Sequence, residues 1–301
     1  MTAAVDGYLS LRRVAGFALV NTKYLLHSFA RFAHARHEAH IRTASVIAWA
    51  SQGPSVAQRH RRYETVRQCA AYVHLDDPRH DTPPPGHFGY RKTRRPPRPY
   101  TPAEIDQLVA AAQRLPSQDA LRPQTYATLI SLLVATGLRI AEALALTPHD
   151  LTPDGLLIRK TKFQKTRLVP LHDTATAGLH EYLQHRHRRP LGGDRVFVSD
   201  RGRPLVYQTV HGVFRALVRA VRLPSIGGRA PTLHGLRHTF AVRALVTSPT
   251  GRQQVGQAMR ALATYLGHVS IVSTYWYLEA TPELLTGVAA ASERWVEGGQ
   301  P

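Results

Sequence analysis

The sequence predicts a mainly α protein with a small β-sheet or hairpin, divided into a helical N-terminal domain and a mixed α+β C-terminal domain. Three observations carry this. Apolar residues recur at helical spacing over most of the chain, that spacing gives way to short β-prone runs between Leu156 and Val169, and one proline- and arginine-rich stretch separates two differently patterned parts. The 301 residues suit about two domains, and 43% hydrophobic content can fill a core in each.

In residues 1–81, Val5 to Ala18, Tyr24 to Ala39 and Ala57 to Tyr72 read as helices, with Gly53-Pro54 as a break. Residues 82–98 pack prolines, glycines and basic residues into a stretch that can form neither a helix nor a central strand, so a basic, extended linker is expected there. The second domain, 99–301, opens at Thr101-Pro102-Ala103-Glu104, which supplies a capping residue, proline at the first helical position and glutamate at the third. That helix should reach about Leu115. Another starts at Pro123 and stops at Thr136-Gly137, and a further one covers Leu138 to Leu146. Leu156-Leu157-Ile158 and Arg167-Leu168-Val169 then read as a hairpin, with Val196-Phe197-Val198 as a third strand. Helices are expected again at about 207–222, 235–247, 252–266 and 271–278, followed by a tail segment from Pro282.

Charge narrows the function. Lysine and arginine number 39 against 20 acidic residues, a formal net charge of +19, and 16 of the basic but only 6 of the acidic residues precede Pro99. So large an excess repels itself without a polyanion, and nucleic acid is the expected partner of both domains. No run of about 18 apolar residues exists, and the first twenty residues lack a basic start followed by a long apolar core. The expectation is a soluble, cytoplasmic, nucleoid-associated protein with no membrane partner. A single cysteine, Cys69, excludes a disulfide framework and a thiolate-rich zinc site, and reads as a small core residue.

Several chemistries are missing. There is no GxxxxGK[ST] phosphate loop and no GxGxxG turn. His37-Glu38-Ala39-His40 is one residue short of the zinc metalloprotease motif, so its histidines do not take the i and i+4 positions that motif uses, and His34, His37 and His40 are expected on a solvated face. The acidic residues are too scattered for a two-metal clamp. Neither metal nor cofactor is expected. What remains is a series of cations near structural breaks. Arg139 follows the helix stop at Gly137, His234 and Arg237 lie three apart on one helical face, and Leu266-Gly267-His268 ends a helix nine residues before Tyr277. Such cations can stabilise a phenolate nucleophile and the charge of a phosphoryl transition state.

Together, Ala135-Thr136-Gly137-Leu138-Arg139-Ile140-Ala141-Glu142, His234-Gly235-Leu236-Arg237-His238-Thr239, Leu266-Gly267-His268 and Tyr277 resemble the signature boxes of the tyrosine recombinase, or phage integrase, family, over about 99–295. The run Lys162 to Leu171 resembles the family's β-hairpin. The resemblance implies a site-specific recombinase that cuts and rejoins DNA through a 3′-phosphotyrosine link to Tyr277. It implies that Arg139 and Arg237 clamp the scissile phosphate, that His234 and His268 add hydrogen bonds, and that Lys162 protonates the leaving 5′-hydroxyl. Glu142 and His238 would support that geometry. Lys160 and Lys165 beside Lys162, and Arg94 and Arg95 in the linker, are expected on DNA phosphates. Tyr275 and Tyr277 point about 200° apart around one helix, so only one can face the phosphate, and the family's interval selects Tyr277.

The resemblance further implies that 1–81 is a core-binding domain clamping double-stranded DNA at specific recombination sites. It also implies that the tail from Pro282 to Trp295 packs into a neighbouring protomer of a homo-tetramer. The sequence context around Tyr277 leans toward recombinases of mobile elements. Two alternatives stay open at this point: a type IB topoisomerase-like strand transferase, separable by ligation between two sites, and a DNA-binding protein without catalysis.

Overall fold

The structure, a computed structural model, describes residues 1–17, 19–90, 98–117, 120–159, 166–187, 194–247 and 252–267, together with Thr274 and Tyr277. The chain divides into two compact units, Met1–Arg94 and Arg95–Pro301.

The first unit is helical. It contains α1 (Thr2–Val14), α2 (Val20–His34), α3 (Thr43–Ser51) and α4 (Val56–Asp76). Helix α4 starts where Ser55 accepts a hydrogen bond from Gln58 N, just past the expected break at Gly53-Pro54. Val5, Leu9, Leu26, Phe29, Val46, Trp49, Tyr63, Val66 and Val73 form the core. Cys69 sits among them, its thiol pushed up to about 12 by burial, so it is an inert core residue. The first part of the expected linker folds back on this unit: Tyr63 Oη donates to Pro84 O at 2.7 Å, and Phe88 packs against the core. His34 and His37 are exposed, as the sequence led us to expect, whereas His40 is half-buried with Nε2 3.4 Å from Asp77. Helix α3 was not foreseen. Its sequence TASVIAWAS is apolar nearly all round, which removes the amphipathic stripe that marks a helix.

The second unit holds α5 (Pro102–Gln113), α6 (Leu121–Thr136), α7 (Ile140–Ala145), α8 (Asp173–His187), α9 (Tyr207–Ala220), α10 (Leu233–Val246) and α11 (Arg252–Leu266), with β1 (Leu151–Thr152), β2 (Gly155–Ile158) and β3 (Arg167–Val169). The capping box opening α5 is present in both directions, Glu104 N to Thr101 Oγ1 and Thr101 N to Glu104 Oε2. Helix α6 is buried at Leu121, Tyr126, Leu129, Ile130, Leu132 and Leu133 and packs on α5, α8 and α10. It stops where Gly137 turns left-handed, at φ +60.

The strands form one antiparallel sheet in the order β1-β2-β3, with Leu156 opposite Val169 and Ile158 opposite Arg167. The hairpin is where the sequence put it, but the third strand is not. Leu151–Thr152 takes that place, while Val196, Phe197 and Val198 are fully buried in irregular chain, tied by Val196 N to Leu146 O and by a bridge from Val198 to Pro204. A short apolar run reports burial, and burial alone does not choose a sheet partner. Helix α8 was also missed, because its first half, DTATAG, favours turns and its apolar positions begin only at Leu179. The expected helix at 271–278 lies outside the described residues apart from Thr274 and Tyr277.

Tyr100 fastens the start of this unit to α10. Its N donates to Thr239 Oγ1 at 2.8 Å, its Oη to Thr232 O at 2.9 Å, and its ring fills the space beside Gly235, where a Cβ would lie 2.7 Å from it. Arg98, also buried, pairs with Glu104 and lies over the Tyr100 ring. No helix among the described residues is long and apolar enough to cross a membrane.

Candidate active site

The helix stop at Gly137 and restart at Ile140 leave Arg139 at the start of α7 with its side chain one-third exposed. Its Nη1 donates to Glu142 Oε1 at 2.8 Å and its Nη2 to Gly267 O at 3.2 Å. Glu142 Oε2 in turn accepts from Arg139 N at 2.9 Å, satisfying one of the free amides at the helix start.

Arg237 lies on α10 and is 2% exposed. It bridges two helix ends, giving Nη1 to Gly137 O and Nη2 to Leu266 O, each at 2.7 Å. Burial, and next the charge of Arg139, draw its pKa down to about 10, so it stays cationic at neutral pH. His234 stands one turn before it, ring to ring with His238 at 4.4 Å. Burial, then Arg237 and Arg139, lower its pKa below the ordinary value, which favours a neutral imidazole with one N–H to give.

Tyr277 reaches the same place from the other side. It is 2% exposed, packs with Ala241, Val242, Met259, Leu262 and Leu266, and brings its Oη to 3.3 Å from His238 Nδ1. Burial raises its pKa above the ordinary value despite the opposing charges of Arg237 and Arg139, so the phenol is protonated at neutral pH. An attacking phenolate there needs both a proton acceptor and cations, and both are in contact with it.

The structure thus brings together Arg139, Glu142, His234, Arg237, His238 and Tyr277. Lys162, Lys160, Lys165, His268, Arg94 and Arg95, with Tyr275 and Trp276, lie outside the described residues. It also adds a residue that the sequence reading passed over. Arg167, first in β3, donates Nη1 and Nη2 to Glu142 at 3.1 and 2.8 Å, and Nε to Tyr265 O at 2.8 Å. The last carbonyls around the end of α11, those of Tyr265, Leu266 and Gly267, therefore take one arginine each: Arg167, Arg237 and Arg139. A helix C-terminus carries partial negative charge on just these groups, so it gathers the cations. A signal for Arg167 existed. In a strand, alternate residues share a face, so Arg167 lies on the buried side with Val169, and a nearly buried arginine must find acceptors, here a carboxylate and a carbonyl.

A hollow of about 420 Å³ lined by Gln113, Gln124, Thr128 and Tyr182 lies apart from these residues and carries no cation. Among the described residues no group of three or more histidine, cysteine or acidic side chains could hold a metal ion.

Residues 99–283 match the model of the phage integrase family. The chain belongs to that family. A protein of Sinorhizobium fredii named integrase/recombinase y4rB is 38% identical to this tyrosine recombinase over 97% of this chain and 96% of its own. Tyrosine recombinase XerD of Caulobacter vibrioides is 31% identical over 95% and 94%. Among solved structures, the Tn1549 transposon integrase in complex with transposon right end DNA superposes with a TM-score of 0.65 at 20% identity, covering 97% of this chain and 98% of that one, which shows the shared fold. As a tyrosine recombinase the chain is an enzyme that cleaves and rejoins DNA strands.

Proposed function

We propose that Tyr277 is the nucleophile of this site-specific recombinase, and that it acts on double-stranded DNA at specific recombination sites without metal or nucleotide. Its Oη attacks phosphorus and its proton passes to His238 Nδ1, which can accept it in the Nε2–H tautomer. The bond from phosphorus to the 5′-oxygen breaks, and Lys162 supplies the proton to the departing 5′-hydroxyl. The 3′-phosphotyrosine keeps the energy of the broken ester, so a 5′-hydroxyl from another strand can attack it and reverse the step. Arg139 and Arg237 hold the non-bridging oxygens, with His234 and His268 donating to the same oxygens. Fixed donors aimed at developing charge contribute most in a dry site, and Arg237 is held on two backbone carbonyls before any substrate arrives.

Lys160, Lys165, Arg94 and Arg95 contact DNA phosphates in this reading, residues 1–81 bind the duplex, and the working assembly is a homo-tetramer in the cell's nucleoid. Integration, excision or transposition of a mobile element is the proposed setting, which the integrase and recombinase names of the relatives support. One observation carries the mechanism: Tyr277 meets His238 beside Arg237 and Arg139.

The test is a nicked suicide substrate, made from the ends of the protein's own genetic element, incubated without metal or nucleotide. A denaturation-resistant adduct that maps to Tyr277 and disappears in Tyr277→Phe is the expected result. Specific binding without an adduct would leave a DNA-binding protein instead.

A further inference from the structure

We infer that Arg167 is a positioning residue for strand cleavage: it neutralises Glu142, and so leaves the charge of Arg139 available to the scissile phosphate. This rests on the catalytic reading above and adds to it a residue with no assigned role. The carboxylate of Glu142 is saturated. Four N–H donors converge on its two oxygens, Arg139 Nη1 and Arg167 Nη1 on Oε1, Arg139 N and Arg167 Nη2 on Oε2, at 2.8 to 3.1 Å. Two guanidinium groups thus share one negative charge, and the trio carries a net single positive charge.

Exposure decides where that charge resides. The Arg167 side chain is 12% exposed and grips both carboxylate oxygens, whereas the Arg139 side chain is 33% exposed and reaches only one of them. The Arg167–Glu142 pair is a nearly buried, self-neutralising unit, and Arg139 is the open member. If Arg167 loses its charge, Glu142 stays ionised against Arg139, and the open cation becomes half of a neutral pair.

Arg167 also fixes two structural ends. Through Nε it holds the carbonyl of Tyr265, next to the carbonyls that orient Arg237 and Arg139. It is also the residue at which β3 begins. The fit is close: a Cβ on Gly267 would lie 2.9 Å from Arg167 Nη1.

A role through charge differs from simple loss of packing in one measurable respect. Removing Arg167 and the Glu142 charge together restores the net charge beside Arg139, so the second change should rescue the first. Single-turnover cleavage of the suicide substrate by the full chain would be compared for wild type, Arg167→Gln, Glu142→Gln, the double variant and Arg167→Lys, with DNA affinity measured in parallel. Arg167→Gln should slow cleavage by roughly 100-fold, the scale for losing one preorganised cation or donor, with DNA affinity changed by less than about threefold, since one phosphate contact among many is affected. The double variant should recover at least about tenfold of that loss. A wild-type rate in Arg167→Gln, or a double variant no faster than Arg167→Gln alone, would overturn the inference. Should Arg167→Gln fail to fold, Arg167→Lys decides, since lysine keeps the charge but not the two-pronged grip: cleavage within about tenfold of wild type, or a larger defect that adding Glu142→Gln relieves by at least about tenfold, supports the charge role, and a larger defect that Glu142→Gln leaves unchanged refutes it. An absence of adduct in wild type would instead sink the catalytic reading before any variant is compared.

Discussion

Glu142 shows how one side chain can set both stability and chemistry. Burial alone would raise its pKa, yet the hydrogen bonds from Arg167 and Arg139 outweigh burial and hold it at about 2, against an ordinary value of 4.5. A folded-state pKa below the unfolded one means that the carboxylate contributes stability above the unfolded value, and that this contribution is lost as pH falls from about 4.5 toward about 2. The shift corresponds to roughly 3 kcal/mol. Acid titration of stability, followed by denaturant melts between pH 6 and pH 2.5, should therefore show a slope that flattens in Glu142→Gln. An unchanged slope in that variant would mean that the ion pairs around Glu142 contribute little. At Tyr277 and Arg237 burial prevails and disfavours charge: it keeps the phenol protonated and draws the guanidinium down to about 10, still cationic at neutral pH, so the encounter with DNA begins from a neutral nucleophile beside a fixed cation.

The end of α11 is the element on which the site is assembled. Helix ends leave carbonyls without intrahelical partners, and here three successive ones accept arginines that come from β3, α10 and the start of α7. The turn that presents them requires Gly267, whose φ of +64 places it in the left-handed region and whose missing side chain leaves room for Arg167. Gly267→Ala should cost about 1–2 kcal/mol of stability from backbone strain and should slow adduct formation beyond that loss, because the Arg167 guanidinium must move; thermal melts and single-turnover cleavage would show the two effects separately. Much of this element was legible beforehand. Gly137 and Gly267 announce helix ends, and Arg139, His234 and Arg237 stand at spacings that place them near those ends. Arg167 was read only as part of a β-prone run, because the sequence shows that a residue is cationic but not that a carboxylate 25 positions earlier will face it. The same limit explains β1. Leu151–Thr152 is too short to show alternation, and its place beside β2 follows from the turn at 153–154 and not from any pattern of its own.

At the scale of the whole molecule the decisive property is charge. Both units are basic, and a protein that neutralises many phosphates releases as many counterions, so log K for DNA should fall steeply and linearly with log of salt concentration. Each phosphate contact contributes about −0.9 to that slope on duplex DNA. Arg94 and Arg95, proposed to contact DNA phosphates, can be tested by this arithmetic. Replacing both with glutamine should make the slope shallower by about 2 while weakening binding to unrelated sequences as much as to the recombination site, because phosphate contacts set register and carry no base information. Fluorescence anisotropy across a salt series on both DNAs measures the two quantities together. A slope equal to that of the wild type would show that 82–98 does not follow the DNA backbone, and would move the source of the steep salt dependence to the helical surfaces of the two units. A loss confined to the recombination site would show instead that these arginines read sequence or DNA shape, which would give the linker a part in choosing the target.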